Sequence, residues 1–136
     1  MTRVPELMSA GINVAFGHDC VMDPWYSMGS HDMLEVASMG LHVAQMTSLK
    51  GMQQAYDAVT VNGAKVLGLE GYGLEPGCHA DLVILQACSP IEALQLKPAR
   101  LFVIRRGKVI ATTPEQQRSI ILDGQQQPVS FSTGLL

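Results

Sequence analysis

The sequence predicts an α/β part over residues 1–70 followed by a β part over residues 71–124. Three observations predict it. Residues 12–16, INVAF, read as a short apolar strand with a glycine on either side, the pattern of a parallel strand buried on both faces. Residues 31–67 then carry helical spacing. Beyond a boundary near residues 69–75, short β-branched runs alternate with tight turns.

Each element has a local reason. A loop follows the first strand, from Gly17 to about Ser30, punctuated by Asp23-Pro24 and Gly29. Ser30 is placed to cap a helix starting near His31, with Asp32 in its first turn. That helix is expected to run to about Met46, with Leu34, Ala37, Leu41 and Ala44 on one stripe. Gly40 weakens it slightly, but can admit a close neighbour. Further helices are expected over 52–59 and 62–67, the last ended by Gly68. Residues 71–80, GYGLEPGCHA, are turn-like, and LVIL at 82–85 is a strand. One or two helical turns follow Pro90. LFVIRRGKVIAT at 101–112 reads as a hairpin turning at Arg106-Gly107. SIIL at 119–122 is a final strand, and residues 125–136 are expected to be a loose polar tail.

Composition narrows the functions. Of 136 residues, 47% are apolar and only 15% charged, against about 25% charged in a typical domain. So little charge suits faces that another piece of protein covers. The net charge is −3, and Arg100, Arg105, Arg106 and Lys108 flank an apolar run rather than form a tract. Nucleic-acid binding is not expected. Neither is a membrane span or a signal peptide. Three widely spaced cysteines, Cys20, Cys78 and Cys88, argue against a disulfide framework and for a reducing, cytoplasmic setting.

The chemistry concentrates at Gly17-His18-Asp19-Cys20. The C-terminal ends of parallel strands are where α/β folds bind ligands. Asp19 there could ligate a divalent metal and take a proton from its water, or could cap the following turn through backbone amides. His18 should point away from Asp19 on an extended strand and reads as a packed neighbour. Cys20 could be a nucleophile or soft ligand, or a small thiol beside the site. Trp25, the only tryptophan, could wall a flat heterocycle or anchor its loop. His31, His42 and His79 are isolated, with no HxH or HExxH. Gly73 and Gly77 are no phosphate cradle, because no helix with Lys-Ser or Lys-Thr follows.

These segments together resemble a known family. GINVAFGHDCVMDPWYSMG resembles the region around the last barrel strand of bacterial cytosine deaminases, in the metal-dependent amidohydrolase superfamily. TVNGAKVLGLEGYGLEPGCHADLVIL and RRGKVIAT resemble that superfamily's join to its small β domain and the domain's closing hairpin. The resemblance implies the C-terminal part of a (β/α)8 barrel, then part of a small β-sandwich. It implies a hydrolase that deaminates cytosine or a related cyclic amidine, using one divalent metal, iron or zinc. Asp19 matches the aspartate that binds the metal and shuttles protons. Trp25 matches the tryptophan lining the substrate pocket. Cys20 stands where those enzymes usually carry a second aspartate near the ring, which unsettles the substrate.

The resemblance further implies that the HxH pair, the other metal histidines and a proton-transferring glutamate lie upstream of this chain. The expected partners are therefore a pyrimidine or cyclic amidine and a missing N-terminal barrel portion, or a homo-oligomer partner. Alone, the chain is expected to be catalytically incomplete and could hold no metal. The alternative is a non-catalytic structural or interaction module on the same fold.

Overall fold

A computed structural model describes residues 2–129. Its order is α1 (Val4–Ser9), α2 (Met33–Val43), α3 (Leu49–Ala58), α4 (Val61–Val66), β1 (Leu82–Leu85), α5 (Pro90–Leu96), β2 (Arg100–Arg105), β3 (Lys108–Thr112), β4 (Ser119–Leu122) and β5 (Gln125–Pro128). The architecture is mixed α/β. A three-stranded antiparallel sheet has the order β1-β2-β3, and β4 with β5 makes a separate two-stranded ladder.

The expected strand at 12–16 is not formed. The segment is extended but belongs to no ladder, and Ile12 is 51% exposed. A strand needs a neighbour's backbone groups, and among the described residues helices are its nearest partners. Phe16 N–H bonds the Ala58 carbonyl at 2.9 Å. Asn13 and Asn62 exchange side-chain bonds with the Asn62 and Val14 carbonyls at 3.1 and 3.0 Å. The segment is thereby fastened to the α3–α4 corner.

The site helix α2 starts later than expected. Asp32, not Ser30, is its N-cap, accepting from Leu34 N–H at 2.7 Å. Asp32 also pairs with Arg100 of β2, which ties the start of α2 to the sheet. The expected stripe holds, with Leu34, Ala37 and Leu41 buried and Ala44 packed against them. The helix stops at Val43 rather than near Met46. Gln45 adopts φ +57°, and the Gln45 and Met46 amides bond the His42 and Leu41 carbonyls. This is a Schellman ending on a non-glycine residue, with Met46 buried behind it.

Two glycines set how closely neighbours approach α2. A Cβ at Gly40 would stand 2.6 Å from the Phe16 ring, and one at Gly51 would stand 2.4 Å from the Met46 carbonyl oxygen. The first lets the site segment lie on α2, and the second lets α3 start against its end. Ser48 caps α3 by accepting from Gly51 N–H at 3.1 Å.

In the later half, LVIL is β1 as expected, and Arg106 and Gly107 turn the hairpin at φ +50° and +75°. Asp81 accepts from the Arg106 amide at 2.6 Å and pairs with the Arg105 guanidinium. The Arg106 guanidinium meets His79 Nδ1 at 2.7 Å. These contacts fasten the turn-like stretch before β1 to the hairpin. Helix α5, capped by Ser89, places Ala93 and Leu94 in the same core as Leu34, Ala37, Leu41 and Ala55. The two textures therefore share one core. Residues 125–128 are not a loose tail. They pair with β4 in register Ser119↔Pro128 to Leu122↔Gln125, through an Asp123-Gly124 turn at φ +49° and +76°. The rest of the expected tail, residues 130–136, lies outside the described residues.

Candidate functional site

The extended segment ends against α2 and opens into a cleft of about 740 Å³, a size typical of small-ligand sites. Its floor comes from Val14 and Phe16. One wall is the α2 face carrying Glu35, Val36 and Met39. The rim carries His18, Asp19, Cys20 and Trp25. The fold therefore brings Asp19, Cys20 and Trp25 to one cleft. His18 lines it too, although strict alternation would turn it away from Asp19. The strand geometry behind that expectation is absent here.

The loop from Gly17 to Ser30 is organised by Asp23. Its carboxylate accepts from Trp25 N–H at 2.9 Å and Tyr26 N–H at 3.0 Å. Asp23 N–H bonds the Tyr26 carbonyl at 3.0 Å, and Met22 N–H bonds the Met28 carbonyl at 3.1 Å below it. Partial desolvation raises the Asp23 carboxyl, but bonds from the Cys20 thiol and the Trp25, Tyr26 and Val21 amides outweigh it and hold it below the usual range. Asp23, not Asp19, thus performs the turn-capping that the sequence left open. Asp19 remains exposed at the cleft rim.

The Cys20 thiol is pushed up, first by its bond to Asp23, then by desolvation and the nearby Asp19 charge. A nucleophilic cysteine needs the opposite shift. Trp25 is 86% exposed, so it stands at the cleft mouth rather than anchoring the loop in a core.

Sequence reasoning passed over Glu35, which lines the cleft from the first turn of α2. Its carboxylate accepts from Ser30 N–H at 3.0 Å and the Ser30 hydroxyl at 2.5 Å. Those bonds hold its carboxyl below the usual carboxylate range, and the His18 and Lys97 charges add to them against partial desolvation. The signal was legible as Asp32-x-x-Glu35, a capping-box spacing, although Glu35 reaches back to Ser30.

Among the described residues, no group of three or more His, Cys, Asp or Glu side chains is placed to hold a metal ion. Catalytic metal sites take about three protein ligands. The described residues therefore do not make a metal site by themselves. No helix among them is long and apolar enough to cross a membrane.

The chain is similar to several known proteins. A 5-methylcytosine deaminase from Klebsiella pneumoniae, solved with phosphonocytosine, superposes with a TM-score of 0.81 at 41% identity, over 87% of this chain and 29% of that one. An N-isopropylammelide isopropylaminohydrolase from Burkholderia multivorans superposes at 0.77 with 34% identity, over 81% of this chain and 28% of the other. By sequence, the chain is 35% identical to an N-isopropylammelide isopropyl amidohydrolase from Pseudomonas sp. (strain ADP), over 79% of this chain and 27% of the relative. It is 32% identical to a pterin deaminase from Rhizobium rhizogenes, over 81% of this chain and 25% of that protein. The chain thus spans between a quarter and three tenths of these relatives' lengths. Residues 1–126 match the amidohydrolase family, and with nearly its whole length inside that match the chain belongs to the family.

Proposed function

We propose that this chain supplies the C-terminal part of the active site of a hydrolase that removes the exocyclic amino group of cytosine or a related cyclic amidine. Water adds at the amidine carbon, a carbonyl forms, and ammonia leaves. The carrying observation is that Asp19, Cys20 and Trp25 face one cleft while Asp23 takes over the loop's own amides. That arrangement leaves the Asp19 carboxylate for chemistry. The relatives' names support the substrate class, since they speak of 5-methylcytosine, N-isopropylammelide and pterin.

In this reading Asp19 accepts a proton from the attacking water. Trp25 presents a flat apolar face to the ring. Cys20 sits near the ring as a neutral, weakly bonding group. A divalent metal, iron or zinc, would supply acidified water when bound, with Asp19 as one ligand and the others from a complementary barrel portion. The chain alone is then catalytically incomplete. The setting proposed is the cytoplasm, in keeping with three free cysteines.

A chimera tests the reading. This chain replaces the matching segment of the Klebsiella 5-methylcytosine deaminase, and metal content and ammonia release from cytosine are measured. The expected result is an active, metal-loaded chimera in which Asp19→Ala loses at least about 10²-fold in rate, the scale of general acid–base assistance, along with metal. Unchanged metal content and rate in Asp19→Ala would overturn the assignment. A folded, metal-loaded but inactive chimera would favour the non-catalytic module.

A further inference from the structure

Trp25 and Cys20 sit five residues apart, and neither is fixed by packing. Trp25 is 86% exposed, so few neighbours hold its ring by dispersion contacts. Cys20 is half-buried. One carboxylate reaches both. Asp23 accepts the Trp25 amide at 2.9 Å and the Tyr26 amide at 3.0 Å, and its carboxylate is the first cause that pushes the nearby Cys20 thiol up. Pro24, between Asp23 and Trp25, restricts φ and removes one amide that could otherwise compete. Met22 N–H to the Met28 carbonyl, at 3.1 Å, closes the base of the loop.

We propose that Asp23 is a positioning residue, whose carboxylate sets the Trp25 backbone and the Cys20 side chain together at the cleft rim. It touches no substrate in this reading. It acts through the two residues that do, and to that extent the proposal rests on the deaminase reading. One side-chain oxygen accepts both amides, the Asx-type arrangement, so a single side chain can order an exposed loop. The geometry also restricts which residues can serve. An asparagine keeps an oxygen at the same place for the two amides. A glutamate keeps the charge but sets the oxygens one methylene further out.

Trp25 is the sole tryptophan, so its fluorescence reports this loop without assignment. The experiment is time-resolved anisotropy of Trp25 in the full chain, for wild type, Asp23→Ala, Asp23→Asn and Asp23→Glu. Far-UV circular dichroism checks each fold. The expected result is a larger fast-decaying component in Asp23→Ala and Asp23→Glu, with Asp23→Asn close to wild type and the far-UV spectrum unchanged throughout. Amide exchange should lose its protection at Trp25 and Tyr26 in the same two variants. An unchanged anisotropy decay in Asp23→Glu would overturn the proposal, and so would equal disorder in Asp23→Asn. If Asp23→Ala fails to fold, the Glu and Asn pair decides alone. The readout needs no substrate, so its outcome is separate from that of the chimera.

Discussion

In the proposed deaminase site, a thiol at position 20 brings no formal charge to the substrate ring. Asp23 first, then partial desolvation and the Asp19 charge, push the thiol pKa up, so the group is held in its neutral form and is a weak hydrogen-bonding partner. An aspartate there would be anionic and would reward a ring that presents an N–H to it. A site built around such a bond discriminates strongly against a substrate that cannot make it. Cytosine and isocytosine carry their donors and acceptors in different places. In the chimera, Cys20→Asp should therefore change the ratio of kcat/KM for the two. The added or lost charged hydrogen bond corresponds to about 1.5–3 kcal/mol, or roughly 10- to 150-fold at 1.4 kcal/mol per decade. Equal ratios in the two proteins would show that position 20 does not read the ring.

At the scale of elements, the legible parts were those whose signal is local. LVIL, the Arg106-Gly107 hairpin, the helical turns after Pro90 and the Gly68 ending all follow from a few adjacent residues. Other features did not. Residues 12–16 look like a strand, but a strand is made by its neighbours, and within the described residues this one has only helix ends to bond. Helix α1 begins at Val4 with Pro5 in its first turn, a start signal that six residues are too short to make obvious. Asp123-Gly124 is a strong turn pair, but the polar run Gln125-Gln126-Gln127 hid the strand after it. The end of α2 was missed because its left-handed residue is Gln45 rather than glycine.

That last feature carries a stability prediction. A non-glycine residue in the left-handed region costs roughly 1–2 kcal/mol. Gln45→Gly relieves this and adds back about 0.5–1 kcal/mol of unfolded-state freedom. The net gain should be on the order of 0.5–1 kcal/mol, read as a rise of about 2–4 °C in Tm. Gln45 is exposed, so no packing is lost. A fall in Tm would mean that the Gln45 side chain contributes something its exposed position does not reveal.

For the whole molecule, the surface is the telling quantity. The chain exposes 9843 Å² at 14.7 kDa, where a compact monomer of that mass exposes about 6,900 Å². Alanine dominates the core: Ala37, Ala55, Ala58 and Ala93 are fully buried. Among the described residues no large side chain is fully buried. The apolar side chains stand instead at the margins, after α4 at Leu67 and Leu69, and along β3 and β4 at Ile110 and Ile121. Several separate apolar faces of this kind call for cover by further protein rather than for one small ligand. The prediction is a difference between two states of the same sequence. Alone, the chain should enhance the fluorescence of the apolar dye ANS, as proteins with accessible apolar surface do. In the chimera, with the rest of the Klebsiella enzyme present, the enhancement per mole should fall severalfold even though the protein is larger. If the chain alone leaves the dye dark, these faces are covered within the chain or between its copies. A sedimentation measurement would then tell the two apart, because cover by copies predicts a dimer or larger assembly and cover within the chain predicts a monomer.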